Sequence, residues 1–228
     1  LVISLFARNV EMPEVLARSL FNIGSVWLVF TLYMVLALLV TDIARIFLPI
    51  GKPYGFIAPL GFTVCLLTYG YFNYKHPDIK RLDITLDKPL QGKPMKVVAI
   101  SDVHLGNGTR KPQLKKFVEM INAEAPDLIV IGGDLIDNSL LPLYQQKMQE
   151  ELKQLKAPMG IYMAPGNHEY ISGIEECKTF LKDTPIRLLH DSIVTLPNGL
   201  QIIGRDDRSN RRRMPLAQLM KQTDATKP

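Results

Sequence analysis

The sequence predicts an α/β protein, with N-terminal transmembrane helices followed by β-sheets flanked by helices. Three observations predict this. Two long stretches near the N-terminus carry no charged residue. Short apolar runs then alternate with helical patterns. Clusters of Asp, Asn and His follow directly on three of those runs.

The charge-free stretches are residues 19–41 and 53–74. Each is long enough to cross ~30 Å of hydrocarbon as a helix. The first, SLFNIGSVWLVFTLYMVLALLVT, is almost wholly apolar. The second, PYGFIAPLGFTVCLLTYGYFNY, contains Pro59 and three glycines, and its tyrosines gather at the C-terminal end as an interfacial belt does. Buried core helices are the competing reading; length and lack of charge favour spans. A cleaved signal peptide fits poorly, because the first run is too long, begins well inside the chain and is followed by another. The chain opens without Met at LVISLF, so we expect a piece of a longer protein, with LVISLF as the tail of an earlier span.

The 228 residues carry a net charge of +5 and are 47% hydrophobic, enough for one or two domains. Cys65 lies in the second apolar run and Cys177 in a polar helix, which is no disulfide framework. Arg8 and Arg18 precede the first span, Arg45 and Lys52 separate the two, and Lys75, Lys80, Arg81 and Lys88 follow. A two-span hairpin puts the first and last groups on one side, which predicts a cytoplasmic C-terminal domain.

Residues 1–82 are therefore expected to form a membrane anchor and residues 83–228 a separate domain. ITLDKPLQGKPMKVVAIS reads as strand, turn, strand, punctuated by Pro89 and Gly92-Lys93-Pro94. Residues 110–124 place Leu114, Phe117, Val118 and Ile121 at helical spacing. DLIVIGGD (127–134) predicts a buried strand, 140–156 a helix, GIYMAPGN (160–167) a strand, and 172–182 a helix. IRLLH, SIVTL and LQIIG are short strands whose close spacing suggests hairpin pairing, with Asn198-Gly199 as the turn between the last two. Strands alternating with helices imply a parallel sheet.

Asp102-Val103-His104, Gly133-Asp134 and Gly166-Asn167-His168 each fall just past a strand's C-terminal end. In open α/β sheets that edge is where ligands bind. Asp and His suit Zn, Mn and Fe. An extended Asp-x-His would point both side chains to one face. Asp134 has two oxygens with which to bridge two ions, and Asn167 adds a neutral ligand oxygen. Glycines 132, 133 and 166 permit tight turns and close approach.

DVH, GGDLID and GNHE resemble the D-x-H, G-D-x-x-D and G-N-H-[DE] blocks of calcineurin-like metallophosphoesterases, over about residues 95–207. The two apolar spans resemble the membrane-anchored bacterial branch of that family. The resemblance implies a metallophosphoesterase sandwich, here partial, holding two divalent ions (Mn, Fe or Zn). Asp102 and His104 would bind the first ion, Asp134 would bridge both, and Asn167 would bind the second. His168 would act on the substrate phosphate as the catalytic side chain, with Asp137 and Glu169 orienting the ligands. Paired ions supply an activated water and clamp the charge that builds on phosphorus. The implied partner is a phosphate-ester substrate at the bacterial inner membrane. A lipid-linked one, such as a UDP-2,3-diacylglucosamine-like lipid A precursor, comes by analogy.

The family pattern continues with a single His and a G-H-x-H that are not found here. His76 and His190 are poor substitutes, the second reading as structural. The first ion would keep three of its four protein ligands and the second only two. We therefore expect the 228-residue chain on its own to have little or no activity. The alternative function is a non-catalytic membrane protein with a metal-binding, phosphoesterase-like interaction domain. RSNRRR (208–213) reads first as a solvated loop; functionally, Arg208, Arg211 and Arg212 would contact substrate phosphate or an anionic headgroup. No nucleic-acid-binding motif is present, and oligomeric state leaves no signature.

Overall fold

The computed structural model describes residues 13–49, 51 and 53–228. Arg8, Lys52 and the LVISLF segment lie outside the described residues. The chain divides into two compact units between Ile84 and Thr85.

The first unit holds helices α1 (Glu14–Phe47) and α2 (Tyr54–Lys75). Both run past the charge-free stretches that predicted them, because flanking polar residues continue the backbone ladder. The most apolar 18-residue windows of Arg18–Phe47 and Tyr54–Lys75 have mean hydropathies of 2.4 and 1.4, so both helices are long and apolar enough to cross a membrane. The helices meet at Met34 and Thr63, where the Thr63 hydroxyl donates to Met34 Sδ at 3.9 Å. Ile23, Trp27, Leu39, Val40, Phe56 and Phe62 are exposed.

Residues 77–96, which span the boundary between the two units, have no regular structure. The first strand expected in ITLDKPL does not form. Pro89 removes a ladder donor from this segment. The segment is held instead by single contacts, such as Gln91 N–H to Asn198 O at 3.0 Å.

Strands β1 (Val97–Ile100), β2 (Leu128–Ile131), β3 (Ile161–Met163) and β4 (Ile186–Leu188) form one parallel sheet in the order β1-β2-β3-β4. Register pairs Ala99 with Val130, Ile131 with Met163, and Met163 with Leu188. Parallel neighbours need crossovers. Helix α3 (Lys111–Ala123) supplies the first. Helices α4 (Leu141–Gln145) and α5 (Gln149–Leu152) supply the second. Helices α6 (Asn167–Ser172) and α7 (Ile174–Leu181) supply the third. The helix expected over 140–156 is thus two short ones, parted by Lys147 at φ 51°.

IRLLH corrects the expectation of hairpin pairing. It joins the parallel sheet, because α6 and α7 lie between it and β3. Only β5 (Ser192–Thr195) and β6 (Gln201–Gly204) pair antiparallel, with Asn198-Gly199 in the turn as expected. A short α8 (Leu216–Met220) follows.

The core joins Leu114, Val118 and Ile121 of α3 to Ile129 and Ile131 of β2, Met163 of β3 and Phe180 of α7. Phe117 is only half-buried. This layer makes the sheet a rigid floor and leaves the strand ends free to carry polar loops.

Candidate metal centre

Loops from three strand ends meet at one edge. The loop after β1 runs beside the loop after β2. His104 N–H donates to Asp134 O at 2.9 Å, Leu105 N–H to Leu135 O at 2.8 Å, and Asp102 N–H to Gly133 O at 3.2 Å. The loop after β3 closes on both. Gly133 sits at φ 95°, and a Cβ there would come within 2.6 Å of Gly166 N. At Gly166 a Cβ would collide with the Asp134 carboxylate. These two positions need glycine because two backbones touch.

The expectation that Asp102 and His104 lie on an extended segment is corrected. The strand ends at Ile100, and both residues take left-handed backbone, at φ 56° and 49°. Asp and His tolerate that region better than branched residues do. The two side chains still meet, with His104 Nε2 3.9 Å from Asp102 Oδ1.

Asp134, also left-handed at φ 52°, accepts the N–H of His168 at 2.9 Å through Oδ1. Asp137 Oδ1 lies 3.6 Å from His104 Nδ1 and 3.2 Å from His168 Nδ1. The latter contact is close but not aligned as a hydrogen bond, and leaves His168 Nδ1 buried without a hydrogen-bond partner. The two imidazoles stack edge to face, with centroids 4.4 Å apart.

Two sets of ligand atoms each fall within 4.8 Å of one another: Asp102, His104 and Asp134, and His104, Asp137 and His168. Among the described ion pairs, Asp102 and Asp137 meet only these two histidines. Three carboxylates are thereby gathered with borderline nitrogen donors and an orphaned imidazole nitrogen. That donor set fits divalent cations, since the carboxylates would otherwise repel one another.

Glu169 is fully buried and is the keystone of the loops. Its carboxylate accepts N–H bonds from Asp134 (2.9 Å), Ile136 (3.0 Å) and Gly166 (2.7 Å). One carboxylate thus ties the loop after β2 to the first turn of α6. Asn167 is exposed at the first position of α6, beside His168.

Arg208, Arg211 and Arg212 are exposed on a separate loop after β6. His190 lies outside both ligand-atom sets, with Nε2 2.6 Å from Asp206 Oδ2 and 3.3 Å from the Tyr170 hydroxyl. In the first unit, His76 Nδ1 lies 2.8 Å from Phe72 O at the end of α2. Sequence reasoning missed Tyr170 and Asp206. The available signal was GRDD, an acidic pair at the end of a strand, the same placement that singled out Asp102.

A parallel sheet whose strand-end loops bring Asp and His together presents the donor set of a metal-binding α/β domain. Residues 95–222 match the family model for calcineurin-like phosphoesterase, and the chain belongs to that family. It is 32% identical over 177 residues to an uncharacterized metallophosphoesterase of Helicobacter pylori, covering 74% of this chain and 46% of that protein. It is 34% identical over 133 residues to a transmembrane protein with metallophosphoesterase domain of Danio rerio, covering 57% and 30%. It is 30% identical over 138 residues to the UDP-2,3-diacylglucosamine pyrophosphatase LpxG of Chlamydia muridarum, covering 58% and 38%. The chain spans about half the length of the first relatives it matches.

Proposed function

We propose that the chain carries the metal-binding half of a membrane-anchored phosphoesterase acting on a phosphomonoester, phosphodiester or pyrophosphate bond. The convergence of Asp102, His104, Asp134 and His168 at one sheet edge carries this reading. Divalent ions, when bound, would supply an activated water and neutralise developing charge on the phosphoryl group. Asp102 and His104 would hold the first, Asp134 would face both, and Asn167 would offer its amide oxygen to the second.

His168 is the group aimed at substrate. Its backbone N–H is tied to Asp134 Oδ1, and its ring lies with Nδ1 3.2 Å from Asp137 Oδ1. From that position it would donate to a phosphoryl oxygen or to the leaving oxygen. Asp137 lies beside the imidazole, and Glu169 holds the backbone that presents it.

Anchoring by α1 and α2 is supported by their length, their hydropathy and their exposed apolar side chains. The likeness to LpxG supports a lipid-linked substrate, and the Lys and Arg count around the spans supports a site on the cytoplasmic side of a bacterial inner membrane. Steady-state hydrolysis of a chromogenic phosphodiester with Mn²⁺ tests the reading. The expected result is slow turnover, lost on chelation and in His168→Ala. Turnover indifferent to both would overturn it. Fast turnover would show that the second ion has donors beyond Asp134 and Asn167.

A further inference from the structure

The loop after β6, residues 205–214, is built to sort its charges. Three acids lie at its base and all three are consumed by donors. Asp206 is 2% exposed and accepts the Tyr170 hydroxyl at 2.7 Å, Asn210 Nδ2 at 2.6 Å and the Asp207 N–H at 2.8 Å, beside its 2.6 Å contact with His190. Asp191 accepts N–H bonds from Asp206 (2.9 Å) and Met214 (2.7 Å), pinning both ends of the loop. Asp207 accepts both the N–H and the hydroxyl of Ser209.

Two of the five arginines are also spent on closure. Arg205 Nε donates to Met214 O at 3.3 Å, and Arg213 Nη1 to Asp206 O at 3.5 Å. Arg208, Arg211 and Arg212 remain, exposed on a loop whose acids are turned inward. A solvated loop has no need of so many internal bonds. Among the described ion pairs none involves these three side chains, and guanidinium groups suit phosphate oxygens.

Its position ties it to the candidate site. The bond that anchors the loop comes from Tyr170 on α6, three residues after Asn167 and so on the same helix face. We propose that residues 205–214 form a phosphate-recognition loop. Tyr170 and Asp206 bolt it to α6, and Arg208, Arg211 and Arg212 bind a phosphate other than the one hydrolysed. The assignment rests on reading the neighbouring cluster as a phosphoesterase site, and it makes the preferred ligand one with at least two phosphate-type charges. The second phosphate comes either from the substrate itself or from a neighbouring lipid headgroup.

Calorimetric titration of inorganic pyrophosphate into the full chain, in neutral detergent with a chelator present, tests the loop without the metal centre. Failure here therefore leaves the phosphoesterase reading standing, and failure of metal-dependent turnover leaves the loop standing. Saturable binding is expected, weakened by about tenfold in Arg208→Gln/Arg211→Gln/Arg212→Gln. Tyr170→Phe, which keeps the ring and loses the bolt, is expected to weaken it by about threefold. A Lys115→Gln/Lys116→Gln control on α3 should change nothing. In a second arm the chain is placed in nanodiscs of phosphatidylcholine alone or with one-quarter phosphatidylglycerol, and tryptic cleavage after Arg211, Arg212 and Arg213 is followed. Protection by the anionic lipid assigns the phosphate to a headgroup. Pyrophosphate binding without that protection assigns it to the substrate. No response in either arm, or equal weakening by the lysine control, would overturn the proposal.

Discussion

The carboxylate of Glu169, wholly buried, accepts the backbone N–H of Asp134 at 2.9 Å. The residue next to the proposed substrate-facing histidine therefore fixes the backbone of the proposed bridging ligand. Glu169→Ala would strip three amide donors of their shared acceptor. Leaving such donors unmet costs about 3 kcal/mol or more in sum. Glu169→Gln keeps the shape and one carbonyl oxygen, and should cost about 1–2 kcal/mol. Denaturant unfolding midpoints check both, and a loss below about 0.5 kcal/mol for the alanine variant would remove Glu169 from this role.

Gly166→Ala should disable the metal centre by steric means alone. The added methyl would overlap the Asp134 carboxylate and sit 2.6 Å from Asp134 N. Asp134 must then rotate or the loops must part. We expect Mn²⁺ affinity to fall by at least about tenfold, the size of effect seen when a ligand's support is lost. Gly61→Ala is the matched control, since nothing lies within 4 Å of the added atom.

Acid stability should depend on Asp206. Burial acts to raise its pKa, but hydrogen bonds from Tyr170, Asn210, His190 and the Asp207 N–H outweigh burial and hold the carboxyl below the usual range. A depressed folded pKa means the unfolded chain binds the proton more tightly. Its contribution is thus fully present above the unfolded value of about 4, and is lost as pH falls through the folded value. Wild-type unfolding midpoints should drop steeply below about pH 4, and the slope should flatten in Asp206→Asn. Parallel profiles for the two proteins would contradict this.

Cys177 should behave as an inert core residue. Burial pushes its thiol up to about 11, against a lowering contribution from the Ser172 hydroxyl 3.1 Å away. Iodoacetamide at neutral pH should leave it unlabelled in the folded chain and label it on unfolding, as peptide mass spectrometry would show. Rapid labelling of native protein would place it nearer the surface than its full burial implies.

Much of the site was legible because its chemistry sits at strand ends, where apolar runs stop and Asp, Asn or His begins. Asp102, His104, Asp134 and His168 were weak signals singly and became readable only through their order and strand-end placement, and the parallel sheet explains why they converge. Side-chain direction was not readable. Alternation holds only inside a strand, and Asp102 and His104 lie past its end in left-handed backbone. Nor was IRLLH placed correctly, since spacing to the next strand says nothing about which earlier strand it joins. The Tyr170–Asp206 bond links residues 36 apart in sequence, a distance no local periodicity encodes. Glu169 illustrates the same limit. Its place in GNHE was visible, but its three amide partners come from two loops that only the fold brings together.

The central claim is that Asp102, His104 and Asp134 hold metal while His168 serves the substrate. Titration of Mn²⁺ against the 228-residue chain, followed by the electron paramagnetic resonance of the free ion, separates these roles. The account predicts one tightly held ion, with affinity lowered at least about tenfold by Asp134→Asn or His104→Ala and by less than about threefold by His168→Ala. Binding that ignores Asp134→Asn, or that disappears with His168→Ala, would contradict it.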